Sequence, residues 1–197
     1  MKERHASRRV VLRNSIPDKA IWEFAEEQGW KYLGHVPRDP DRGVFYEARW
    51  ESSDGNTVHF IIDEFADTLY MVAQNHIEKA ADDIAERIQS SLPTYSVDQL
   101  AEEFDVNMYP AGWAAALLRL GVAAPKTTDE EILTRIRESV GHREAAVRRA
   151  ALWAMRYAAW PELKGELEKM LSVEKEPEIA EEIRRAIEAF SEAGGES

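Results

Sequence analysis

Five side chains near the C-terminal end combine the chemistry of a recognition surface. Trp153 and Tyr157 stand one helical turn apart, Trp160 follows, and Arg149 and Arg156 flank them. Aromatic rings and guanidinium groups bury large areas at little entropic cost, which is why they dominate the tightest spots of protein interfaces. The apolar stripe of the same helix already comprises Val147, Ala150, Ala151, Ala154 and Met155. Trp153 and Tyr157 therefore fall on a different side. The expectation is a protein-binding face made by Arg149, Trp153, Arg156, Tyr157 and Trp160. The competing reading packs that side against a neighbouring helix or the first half of the chain, the usual fate of large aromatics.

Catalytic chemistry finds weaker support. His35, His59 and His76 lie in the first half, and His59 shares a strand face with Asp63. Residues four apart on a strand are about 13 Å apart, too far for the two to chelate one ion. Arg38-Asp39-Pro40-Asp41-Arg42-Gly43 places two carboxylates in a proline-broken loop. Such a pair can hold Mg²⁺ or act as acid and base, although the turn-forming composition reads first as a surface connector. Gly-x-Ser-x-Gly, Gly-x-Gly-x-x-Gly and phosphate-loop motifs are absent. No catalytic, metal-binding or cofactor-binding residue is assigned, and no cofactor is expected.

The elements that position these residues divide into two kinds. In the first half, Val10-Val11-Leu12 reads as a short strand, and Pro17 opens a helix carrying Ala20, Ile21, Phe24 and Ala25 before Gly29 ends it. Tyr32 and Leu33 sit in a strand that stops before Pro37. Val44, Tyr46, Ala48 and Trp50 alternate with Phe45, Glu47, Arg49 and Glu51, and Val58, Phe60 and Ile62 alternate with His59, Ile61 and Asp63. The turn Ser52–Gly55 and a tight connection at Ala66-Asp67 join these to a further strand, Thr68 to Ala73. Consecutive strands with short turns make an antiparallel meander. The helix Ile77 to Leu92 supplies Ala80, Ile84 and Ile88 to cover Val44, Tyr46, Trp50 and Phe60.

From Tyr95 onward helices follow one another and an internal repeat emerges. Ile132, Ile136 and Val140 return as Leu163, Leu167 and Leu171, and Val147, Ala151, Ala154 and Met155 return as Ile179, Ile183, Ala186 and Ile187. Leu100 and Phe104 begin a more degenerate pair, whose second helix runs from Pro110 to Leu120 and is closed by Gly121. The string Arg143-Glu-Ala-Ala-Val147-Arg148-Arg149-Ala150-Ala151-Leu152 resembles the second helix of a HEAT-like repeat, and Glu176-Pro177-Glu178-Ile179 resembles the start of the next unit. The resemblance covers 96–190 and implies about two and a half stacked helix pairs, the last one a terminal cap. Its period is shorter than the ~40 residues of long HEAT units. HEAT-like proteins include bilin lyases and alkylpurine DNA glycosylases, so the resemblance also implies an enzymatic alternative. Small alanines at 114–116, 150–151 and 154 let stacked helices approach closely.

Charge and composition narrow the classes further. The 197 residues carry 25 basic and 37 acidic groups, a net charge of −12. Duplex nucleic acid asks for a basic face, so its binding is disfavoured; an acidic decoy that mimics nucleic acid stays open as an alternative. Lys2, Arg4, Arg8, Arg9 and Arg13 form a basic N-terminal arm that contacts an acidic partner, the body of the protein or solvent alone. No apolar run approaches the ~18 residues of a membrane helix, no secretory signal is evident, and cysteine is absent, so a cytoplasmic location is expected. The expected architecture is α+β: an antiparallel meander with flanking helices over 1–93, then an all-α HEAT-like half over 94–197. The expected function is a non-catalytic protein–protein interaction module, such as an adaptor, assembly factor or immunity-type inhibitor, acting on a protein partner through the helical face.

Overall fold

Alternating apolar residues from Tyr46 to Ile62 demand strands with one buried face. The computed structural model, which describes residues 4–194 and side chains as far as Glu192, forms them within an α+β chain. Contacts divide the chain between Ser96 and Val97. In the first unit, strands β1 (His5–Ala6), β2 (Val10–Leu12), β3 (Lys31–Val36), β4 (Tyr46–Glu51), β5 (Thr57–Asp63) and β6 (Thr68–Asn75) make one antiparallel sheet. Its order is β1-β6-β5-β4-β3, with β2 also on β6. Trp50 lies opposite Val58, Ala48 opposite Phe60, and Phe60 opposite Met71, so one face collects the bulk.

Two helices share that core. Helix α1 (Asp18–Glu27) starts after Pro17, buries Ile21, Phe24 and Ala25, and is followed by Gly29 at φ +66°. Helix α2 (Glu78–Ser91) buries Ala81, Ile84, Ala85 and Ile88. Ile84 and Ile88 face inward as expected, whereas Ala80 is only half-buried at the margin of a face that Ala81 and Ala85 complete. Trp50 and Phe60 belong to the shared core with Tyr46 at its margin. Val44 does not. It precedes β4 and pairs with Asp39 in an isolated bridge, since the left-handed Gly43 closes a one-turn helix at Pro40–Arg42 just before it. The β5–β6 connection is also longer than a two-residue turn: Asp63 accepts the Ala66 N–H at 2.9 Å, and Asp67 takes a positive φ of 48°.

The N-terminal arm is built into its own unit. Arg4 donates to Thr57 Oγ1 at 3.0 Å and Arg8 bonds Gln89. Arg9 lies over the Tyr70 ring at 5.9 Å and Arg13 over Tyr95 at 4.7 Å. Lys2 lies outside the described residues.

The second unit consists of helices α3 (Val97–Val106), α4 (Pro110–Ala123), α5 (Glu130–Val140), α6 (Ala145–Ala158), α7 (Leu163–Val173) and α8 (Pro177–Gly194). Turns at 107–109, 141–144 and 174–176 join each odd helix to its successor, and the joined helices pack together. The buried stripes read Ile132, Ile136, Ser139 on α5 and Leu163, Leu167, Met170 on α7. Val140 and Leu171 are half-buried. Gly121 does not close α4, which continues to Ala123. A Cβ placed on Gly121 would meet the Ala154 Cα at 2.6 Å, so this glycine lets α4 and α6 approach closely.

Ion pairs stitch each helix pair to the next. Arg135 grips Asp105 through Nε at 3.0 Å and Nη2 at 2.7 Å. Arg137 meets Glu166 at 3.0 Å, and Arg148 meets Glu174 at 2.7 Å. The Arg135 guanidinium holds the Asp105 carboxyl below its ordinary range.

Candidate protein-binding face

The helix α6 presents its apolar stripe, Val147, Ala150, Ala151, Ala154 and Met155, to the core, as its periodicity requires. The flank carrying Arg149, Trp153, Arg156 and Tyr157 turns toward α8. There Glu182 gathers two of the expected residues. Its carboxylate meets Arg149 Nη2 at 2.6 Å and accepts from Arg149 Nε and from the Trp153 indole N–H, each at 3.1 Å. Trp153 is thereby fixed in orientation.

Arg156 and Tyr157 extend from this anchor. The Arg156 guanidinium carbon sits 4.0 Å from the centre of the Trp153 ring, inside the range where the ring's negative face attracts a cation. Arg156 is exposed, and no ion-pair partner is found for it among the described residues. Tyr157 lies beside Trp153 with ring centres 6.5 Å apart and planes tilted by 48°. Next to Arg156 a groove of about 240 Å³ runs between α6 and α8, lined by Ala159, Ala186, Ala189 and Phe190. An exposed cation stacked on indole at the mouth of an apolar groove can take an apolar side chain and a neighbouring anionic group together.

Trp160 does not join this surface. It is only 1% exposed, and its indole donates to the Pro125 carbonyl at 2.8 Å. The left-handed Ala159, φ 53°, turns the chain just before it and sends the ring inward. Glu182, Ala186 and Phe190 were missed by the sequence reading, which treated α8 only as a repeat copy. Their spacing of four on a helix was the available signal.

The other chemistry-bearing residues scatter. His35 bonds Tyr32 at 2.9 Å and stacks on Tyr46, while His59 contacts Glu47 on the adjacent strand. In the loop at 38–43, Asp39 caps the one-turn helix and Arg38 pairs with Glu64 at 2.6 Å. Among the described residues no three His, Cys, Asp or Glu side chains converge as metal ligands, and no helix is long and apolar enough to cross a membrane. No protein-family model matches the chain, and comparisons with curated proteins and with solved structures return no significant match.

Proposed function

We propose that this chain is a protein–protein interaction module of HEAT-like type, acting without catalysis as an adaptor, assembly factor or inhibitor. It binds its partner through the α6–α8 face. The observation that carries the reading is the Arg156–Trp153 stack, held from behind by Glu182 and opening onto the Phe190 groove. Such a surface is organised before binding, which lowers the entropy lost on association. The polar outer positions of α8, Glu178, Glu181, Arg184, Arg185 and Glu188, are exposed and suit a terminal unit that stacks nothing further.

Capture from native lysate tests this reading when read by difference. The doubly altered chain Arg156→Glu, Tyr157→Ala is compared with the unaltered chain and with a control altered on the exposed side of α2, Lys79→Glu. A protein retained by the unaltered chain and the control but lost by the double variant supports the α6–α8 face. Identical captured sets for all three place binding elsewhere.

A further inference from the structure

Strand β3 is the outer strand of the sheet, bonded to β4 on one side, and among the described residues no strand lies on its other side. Lys31, Tyr32, Leu33 and His35 are exposed. A row of backbone donors and acceptors therefore faces outward, the template on which an extended peptide adds as a further strand. Beside this edge stands an aromatic platform. Trp22 of α1 meets Tyr32 at 5.1 Å and Trp50 at 5.0 Å, both edge to face. Trp50 is buried, whereas Trp22 and Tyr32 keep 38% and 42% of their surface exposed.

The charge around the platform selects the occupant. Asp18 and Glu26 lie four residues before and after Trp22 on one column of α1. Both are exposed, and among the described residues neither carboxylate has an ion-pair or hydrogen-bond partner. Glu23 is paired with Lys19 at 2.6 Å. An exposed indole and phenol with free carboxylates on either side are complementary to a guanidinium. The edge itself discriminates against a second copy of this chain. Leu33 is an extra residue between the Tyr32–Trp50 and Gly34–Arg49 pairs, and such a bulge, with Lys31 nearby, hinders flat sheet-to-sheet pairing more than a narrow single strand.

We propose that the β3 edge and the Trp22–Tyr32 platform form a second binding surface, which takes an extended, arginine-bearing segment of a partner protein by strand addition. Backbone bonds to β3 hold the segment, and every second side chain falls on the platform side. There an arginine stacks on Trp22 or Tyr32 and reaches Asp18 or Glu26. This surface is separate from the α6–α8 face, so either can fail alone.

The probe is a fluorescein-labelled octapeptide alternating arginine and valine, titrated into the whole chain and followed by anisotropy. Binding is expected, and methylation of the peptide amides on one edge weakens it about tenfold, the equivalent of one or two net hydrogen bonds. Asp18→Asn with Glu26→Gln weakens it too, and the matching glutamate–valine peptide does not bind. The proposal is overturned by failure of the arginine peptide to bind, by equal binding of the methylated peptide, or by indifference to the Asp18 and Glu26 changes. It is equally overturned if sedimentation shows the chain dimerising and Leu33→Lys abolishes the dimer, because the edge then serves a second copy.

Discussion

Arg148 and Glu174 show how one half-buried pair fixes two turns at once. Arg148 donates to both Glu174 carboxylate oxygens, at 2.7 and 2.8 Å, and to the carbonyls of His142 and Arg143 at 3.0 Å. Glu174 also accepts the N–H groups of Lys175 and Glu176 at 2.8 and 2.9 Å, capping the approach to α8. The arginine, followed by those two N–H donors, holds the Glu174 carboxyl down to about 2, against an ordinary 4.5. Its folded pKa is depressed, so its stabilisation is complete above pH 4.5 and disappears as pH falls toward 2. Thermal unfolding followed from pH 5 downward should show this loss, and Glu174→Gln should remove that part of the slope. Arg148→Met leaves the Glu174 carboxylate with only the Lys175 and Glu176 N–H groups as donors and should cost about 1.5–3 kcal/mol in denaturant unfolding. Trp50→Ala should cost about 3–5 kcal/mol, because Trp50 is 2% exposed and touches both Trp22 and Tyr32; a loss under about 1 kcal/mol is surface behaviour and contradicts its place in the core. At this scale the sequence was partly legible. Trp50 announced itself by alternation, whereas the inward turn of Trp160 depends on the left-handed Ala159, which no pattern of residue types encodes.

The elements were more legible than their ends and neighbours. Strict alternation disclosed β4 and β5, the tight connection before Thr68 disclosed β6, and the recurrence of Ile132 and Ile136 as Leu163 and Leu167 disclosed α5 and α7. Strand β1 escaped because two residues, His5 and Ala6, carry no periodicity. Gly121 was misread as a terminator since a glycine in sequence does not reveal the Ala154 backbone beside it. That contact fixes the sign of a substitution. Gly121→Ala gains about 1 kcal/mol of helix propensity, yet its methyl group would collide with backbone rather than with a flexible side-chain tip. The net outcome should be destabilisation of about 1–3 kcal/mol, measured by urea unfolding. A stabilised variant would mean that α4 and α6 are further apart than described. Amide exchange should likewise show protected segments on both sides of 141–144 with fast exchange within it; one unbroken protected stretch from Glu130 to Ala158 would refute the helix pair.

On the scale of the whole molecule, the acidic balance and the absence of catalytic motifs pointed away from nucleic acid and toward a protein partner. The same reading found four residues on one flank of α6 but not their counterparts on α8. Contacts between helix pairs depend on how successive helices are set, and a one-dimensional period does not record that. Binding through Arg156 is the central claim, and the most direct measurement is the affinity of a captured, purified partner for the unaltered chain and for Arg156→Ala by titration calorimetry. Removing a hot-spot arginine should weaken binding by about 2 kcal/mol or more, roughly thirtyfold in Kd, with the thermal unfolding midpoint unchanged. An unchanged Kd would contradict the assignment of the α6–α8 face.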